Sequence, residues 1–268
     1  MQNMHRVMRW AKWVFGGVAC GWVLGVTAQS GNGAAAKPVI KVAAASNLKF
    51  VMTELLALYR QQSGLEVQLS LGASGPLAQQ IRQGLPVSLF VSADELRVDE
   101  LVKAGLTQDA GQRYATGRLA LLVPQNSPLP LDAGLKALVQ ALRQHDKLAI
   151  ANPALAPYGL AAQEALSHEG VWAQAQPRLV MGENIAQTTQ FVMTGAAAAG
   201  LTALSLVTAP EVAQRTRFQP IPADWHAPLH QKLVMLKGAD APTRQFRDFL
   251  LSPPAKAVFQ RHGYDTHP

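Results

Sequence analysis

The chain has 268 residues, 49% of them hydrophobic and 15% charged, which is ordinary for a globular protein and enough to bury a core in one large or two modest domains. The net charge is +7, but Arg6, Arg9 and Lys12 stand in the first segment, the other basic residues are scattered and only 6% of residues are aromatic. That pattern excludes a nucleic-acid-binding surface, although a mildly positive surface still helps to collect anions.

Basic residues at 6, 9 and 12 precede an apolar run from Trp13 to Val26, and Val26-Thr27-Ala28 offers a small-residue cleavage site. Residues 1–28 therefore read as a signal peptide for export to the periplasm, because the run is shorter than the roughly 20 residues a spanning helix needs. Cys20, the single cysteine, lies inside it, so the exported protein has no disulfide, thiol nucleophile or cysteine metal site. Gly17-Val18-Ala19-Cys20 lacks the leucine that a lipid-attachment box carries three residues before its cysteine. Residues 29–37, small and polar, read as a disordered leader.

From Pro38 onward strand and helix patterns alternate. Val39 to Val42 reads as a buried strand, and Leu48, Val51, Met52, Leu55, Leu56 and Tyr59 recur at helical spacing up to Gly64. Ser46 and Asn47 fall at the turn between them, where such residues cap a helix and where free N–H groups can hold an anion. Leu65 to Leu71 alternates as a strand, and Gly72-Ala73-Ser74-Gly75-Pro76 opens the next helix with Pro76 expected at its first position. Val87 to Val91 is a strand, Ala93 to Ala104 a helix, and Arg118 to Val123 a strand ending at Pro124. A helix near Leu135 to Leu142 and a strand at Lys147 to Ile150 follow. The turn Asn152 to Gly159, with Tyr158, opens a helix from Leu160 to Glu169. Leu179 to Met181 is a strand, and Gly182-Glu183-Asn184-Ile185 opens another helix. Gly200 to Leu206, Phe218 to Ile221 and Lys232 to Leu236 read as strands, and Thr243 to Leu251 and Ala255 to His262 as helices.

This alternation argues for parallel sheets with helices on their faces, and ligands bind such sheets at the carboxyl ends of the strands. Four turns of that kind, around Ser46, Ser74, Tyr158 and Ile185, come two from each half of the chain. None has Lys, Arg or His at its centre, so an anion between two facing lobes would be held by neutral dipoles and hydroxyls. A site made only of donors favours an oxyanion without a proton. His226 and His230 are four apart, but Pro228 between them prevents a helical metal pair. No Ser-His-Asp constellation, phosphate loop or dinucleotide fingerprint is present.

At Ala43-Ala44-Ala45-Ser46-Asn47, Gly72 to Ile81, Phe90-Val91-Ser92-Ala93-Asp94, Asn152-Pro153 with Ala156-Pro157-Tyr158-Gly159, and Gly182 to Gln187, the chain resembles the periplasmic molybdate-binding proteins of ABC transporters. The motifs occur in the family's order and spacing from about Pro38 to the C-terminus. The resemblance implies an α/β, two-lobed type II periplasmic-binding-protein fold, each lobe a mostly parallel sheet flanked by helices, with the ligand cleft between lobes. Residues 38–119 and 225–268 would form the first lobe and 120–224 the second, with a hinge near 120 and 225. It implies a monomeric receptor that captures molybdate or tungstate for a membrane permease, with no cofactor, no enzymatic activity and no free cation site. Ser46 and Ser74 match hydroxyl donors and Ile185 a backbone donor, these three being contacts to the molybdate oxyanion. Many members carry a binding tyrosine where this chain has Ala203; it resembles instead a subgroup in which Asn47 and Tyr158 fill that role. The competing readings are a receptor for another oxyanion such as sulfate, and an exported enzyme using the same cleft.

Overall fold

The computed structural model describes residues 38–132 and 134–266. The expected signal peptide, the leader and Cys20 lie outside them. Within the described residues ten strands form two sheets of five. The first is built from β1 (Val39–Ala45), β2 (Glu66–Gly72), β3 (Leu89–Val91), β4 (Gln112–Gly117) and, late in the chain, β10 (Leu229–Met235); the second from β5 (Leu119–Pro124), β6 (Leu148–Ala151), β7 (Leu179–Gly182), β8 (Ala199–Ala203) and β9 (Thr216–Pro220). The strand orders are β2-β1-β3-β10-β4 and β7-β6-β8-β5-β9. In each sheet three strands run parallel, and the fourth in the order, β10 or β5, pairs antiparallel with both its neighbours. Both sheets are therefore mostly parallel, with helices in the crossovers.

Successive strand residues point to opposite faces, and here both faces are buried. In the first sheet Val42, Ala44, Leu89, Val91, Leu233 and Met235 pack with Leu48, Met52, Phe246 and Phe259 on one side. Their neighbours Ala43, Phe90 and Val234 pack with Leu77, Ile81 and Leu101 on the other. The second sheet divides in the same way, Leu119, Leu121, Leu148 and Ile150 against Ala120, Leu122 and Ala149. Two-sided burial explains why these strands read as apolar runs rather than as alternations.

The structure differs from the sequence reading at several element ends. The helix after β2 spans Ser74–Arg82, so Pro76 is its third residue. That position is tolerated because N–H groups of the first turn lack intrahelical acceptors. The helix after β3 begins only at Leu96, since Asp94 Oδ1 accepts from Ser92 Oγ and Arg97 N–H and holds the intervening residues in a turn. The expected strand to Leu206 stops at Ala203, and Leu204–Val207 forms one helical turn. β4 has no counterpart in the reading; Gln-Arg-Tyr-Ala-Thr-Gly lacks an apolar run, and its antiparallel pairing with β10 carries it. Among the described residues no helix is long and apolar enough to cross a membrane.

Candidate functional site

The four turns singled out in the sequence meet. Ser46, Asn47, Ser74, Tyr158 and Ile185 all line one small cleft, together with Ala93 and Pro157. A larger depression is lined by Arg113, His230 and Lys256, none of which belongs to the four turns. All five residues are buried: Ser74 is 0% exposed and Ser46, the most exposed of them, only 4%.

Strand-to-helix turns place each residue. β1 runs into a 3-10 turn, Ser46–Leu48, and then the helix Lys49–Ser63, and neither start has a side-chain cap. Ser46 and Asn47 are thus not used as caps. Ser46 Oγ accepts from Ala186 N–H, 3.4 Å away at the helix start after β7, and Ser74 Oγ accepts from Ala93 N–H at 3.0 Å. Each hydroxyl has its acceptor side occupied by a backbone N–H, which leaves its own proton for a ligand. In the helix Ile185–Met193 the Asn184 side chain accepts from Ala186 and Gln187 N–H, so the cap leaves Ile185 N–H without an acceptor. In Pro157–His168 the first residue is proline and the N-cap, Ala156, makes no side-chain bond, so Tyr158 carries the first N–H of that helix.

Among the described residues no charged side chain lines the cleft. Three phenols lie in or beside it, Tyr114, Tyr158 and Tyr264, and burial pushes each well above its ordinary range, so all stay neutral near pH 7. Among the described residues no group of three or more His, Cys, Asp or Glu could hold a metal ion. His230 Nδ1 instead meets Thr116 Oγ1 at 3.0 Å, and His226 Nδ1 meets the Ala227 carbonyl at 2.8 Å. Arranged so, the cleft offers neutral hydrogen-bond donors from both sheets to a small, desolvated, anionic guest.

A family model described as bacterial extracellular solute-binding protein matches residues 40–265. The chain belongs to that family. Within the solute-binding family, the molybdate-binding protein ModA of Rhodobacter capsulatus is 36% identical over 236 residues, covering 87% of this chain and 90% of that protein. ModA of Azotobacter vinelandii is 35% identical over 229 residues, covering 84% and 89%. The solved periplasmic molybdate-binding protein of Azotobacter vinelandii superposes with a TM-score of 0.77 at 30% identity, over 85% of this chain and 100% of that one. The sulfate-binding protein SubI of Mycobacterium tuberculosis shares the fold alone, at 17% identity and a TM-score of 0.70. The architecture is that of the two-lobed type II periplasmic binding proteins.

Behind the cleft of this solute-binding protein lies a polar cluster that the sequence reading missed. Gln231, 0% exposed on β10, lies 3.0 Å from Asn47 Nδ2 through Oε1, 2.6 Å from Tyr114 OH through the same oxygen, and 3.0 Å from Tyr158 OH through Nε2. Tyr264 OH donates to the Asn47 carbonyl and lies 2.7 Å from Asn47 Nδ2, while Ser205 Oγ donates to that carbonyl at 2.9 Å. Gly117 admits the cluster: a Cβ there would stand 2.1 Å from Tyr158 OH and 2.5 Å from Gln231 Nε2. The legible signal was Gln231 itself, a polar residue on the strand face that Leu229 and Leu233 bury.

Proposed function

We propose that this chain is an extracytoplasmic receptor that captures molybdate or tungstate and delivers it to the membrane permease of an ABC transporter. One observation carries the reading: a buried cleft at the strand ends of two sheets, lined by neutral donors and no charged group. Burial of a dianion is costly unless it is fully hydrogen-bonded, and a charge-assisted bond returns about 1.5–3 kcal/mol. The Ser46 and Ser74 hydroxyls and the N–H groups of Tyr158 and Ile185 are the donors, and Asn47 stands in the wall beside them. The names and the 35–36% identity of the two ModA relatives support molybdate over sulfate as the ligand.

The protein acts in the periplasm as a monomer after loss of residues 1–28, and it binds its cargo without transforming it. The cleft lining supports that role, since among the described residues it holds no carboxylate, imidazole or amine to serve as base or nucleophile. The lobes are 38–119 with 225–268, and 120–224; the hinge lies where the chain passes between sheets, at Gly117 to Leu119 and Pro220 to Leu229. Thermal unfolding with added oxyanions tests the reading. Micromolar molybdate and tungstate raise the melting temperature while phosphate does not, because a ligand that binds only the folded state stabilises it by mass action. A shift with sulfate equal to that with molybdate would transfer the assignment to the sulfate receptors.

A further inference from the structure

Asn47 Oδ1 is buried in the cleft wall with no hydrogen-bond partner, although both protons of its amide are engaged by Gln231 Oε1 and Tyr264 OH. A bare carbonyl oxygen facing an anion repels it. A half-turn of the Asn47 and Gln231 amides exchanges N and O and keeps every contact of the cluster but one, the Tyr264 OH bond to the Asn47 carbonyl. Gln231 Nε2 then donates to Asn47 Oδ1 and to Tyr114 OH, whose own proton already goes to the Ser92 carbonyl at 3.0 Å. Tyr264 OH donates to Asn47 Oδ1, and the Asn47 carbonyl keeps Ser205 Oγ. Tyr158 OH donates to Gln231 Oε1. Each side-chain polar group of the cluster is then paired except Asn47 Nδ2, which presents a donor to the cleft.

We propose that Gln231 is a positioning residue of the anion site: it turns the Asn47 amide so that N–H, not C=O, faces the ligand, and it takes up the Tyr158 hydroxyl proton. The proposal rests on the oxyanion reading and deepens it. The two senses of the cluster suit different guests. With N–H forward the wall serves an oxyanion that carries no proton. With C=O forward, Tyr158 is free to donate and Asn47 to accept, which suits a guest with an O–H. Gln231 is thereby a selector for the fully deprotonated dianion, and Tyr158 meets the ligand through its backbone rather than its phenol.

Calorimetry of molybdate on the whole protein and three variants tests this, alongside 1H–15N spectra of the side-chain amides. Gln231→Met and Asn47→Ala each weaken molybdate binding about ten- to a hundredfold, whereas Tyr158→Phe, which costs Gln231 Oε1 a donor but the ligand none, weakens it less than about tenfold. In the parent protein, bound molybdate moves an Asn47 Nδ2 proton resonance downfield, and Gln231→Met abolishes that movement while leaving other bound-state shifts in place. A tenfold or greater loss in Tyr158→Phe, or an Asn47 side-chain resonance indifferent to bound molybdate, overturns the inference. Should Gln231→Met not fold, the parent spectrum and Tyr158→Phe decide it. Absence of molybdate binding by the parent protein would instead remove the oxyanion reading beneath it, and the role given to Gln231 with it.

Discussion

Ser74 joins two functions in one hydroxyl: it accepts from Ala93 N–H at 3.0 Å and keeps its proton for a ligand. Ser74→Ala therefore weakens molybdate binding by about 1.5–3 kcal/mol, roughly ten- to a hundredfold by calorimetry, and lowers the melting point of the unliganded protein by orphaning Ala93 N–H. Gly117→Ala puts a methyl 2.1 Å from Tyr158 OH, and overpacking of this kind costs about 1–3 kcal/mol, read as a lower denaturation midpoint. Melting as stable as the parent would show that Tyr158 and Gln231 can move aside. Ser46, Asn47, Ser74 and Tyr158 were legible because turn chemistry puts polar side chains and free N–H groups at strand-to-helix junctions. Gln231 showed only as a polar residue on an apolar strand face, and the cluster it forms with Tyr114 and Tyr264 was not legible, because the partners lie 73 to 217 residues apart and only the folded sheet brings them together.

At the scale of elements, apolar periodicity fixed most strands and helices, and errors gathered where tertiary contacts override local pattern. β4 is held by β10 rather than by its own hydrophobicity, and Leu204 leaves the strand pattern as its N–H reaches the Arg118 carbonyl and Ser205 turns toward Asn47. Away from the cleft, the helix Ala241–Leu250 starts with a side-chain cap. Asp240 accepts from Thr243 N–H at 3.0 Å and from Thr243 Oγ1 at 2.6 Å, and these bonds hold its carboxyl below the usual carboxylate range. Asp240→Ala costs about 1 kcal/mol in chemical denaturation. The sign of its pH dependence follows from the depressed pKa: the cap's stability is present above the carboxyl's unfolded value and is lost as pH falls through the folded one. Acid titration of parent and variant melting curves should converge at low pH. A constant gap would assign the cap's effect to something other than the ionised carboxylate.

For the whole molecule, sheet membership passes from the first to the second between Gly117 and Leu119 and returns between Pro220 and Leu229. The two are also tied directly across the cleft, by Gly75 N–H to the Leu155 carbonyl at 3.1 Å and by Ala186 N–H to Ser46 Oγ. A Cβ on Gly75 would meet that carbonyl at 2.9 Å, so Gly75→Ala holds the sheets apart. It should weaken molybdate binding while sparing the melting point of the unliganded protein. If an anion completes these ties, small-angle scattering shows a smaller radius of gyration with molybdate than without; an unchanged radius would contradict lobe closure but not the donor set. The central claim is that neutral donors from both sheets bind a deprotonated dianion, and calorimetric titration of the purified protein with sodium molybdate tests it most directly. The account predicts saturable 1:1 binding at micromolar or lower concentration, unchanged between pH 6 and pH 8, to order of magnitude, because among the described residues no carboxylate, imidazole or amine lines the cleft and burial keeps the Tyr158 phenol neutral. No heat of binding, or an affinity that falls steeply across that range, would contradict it.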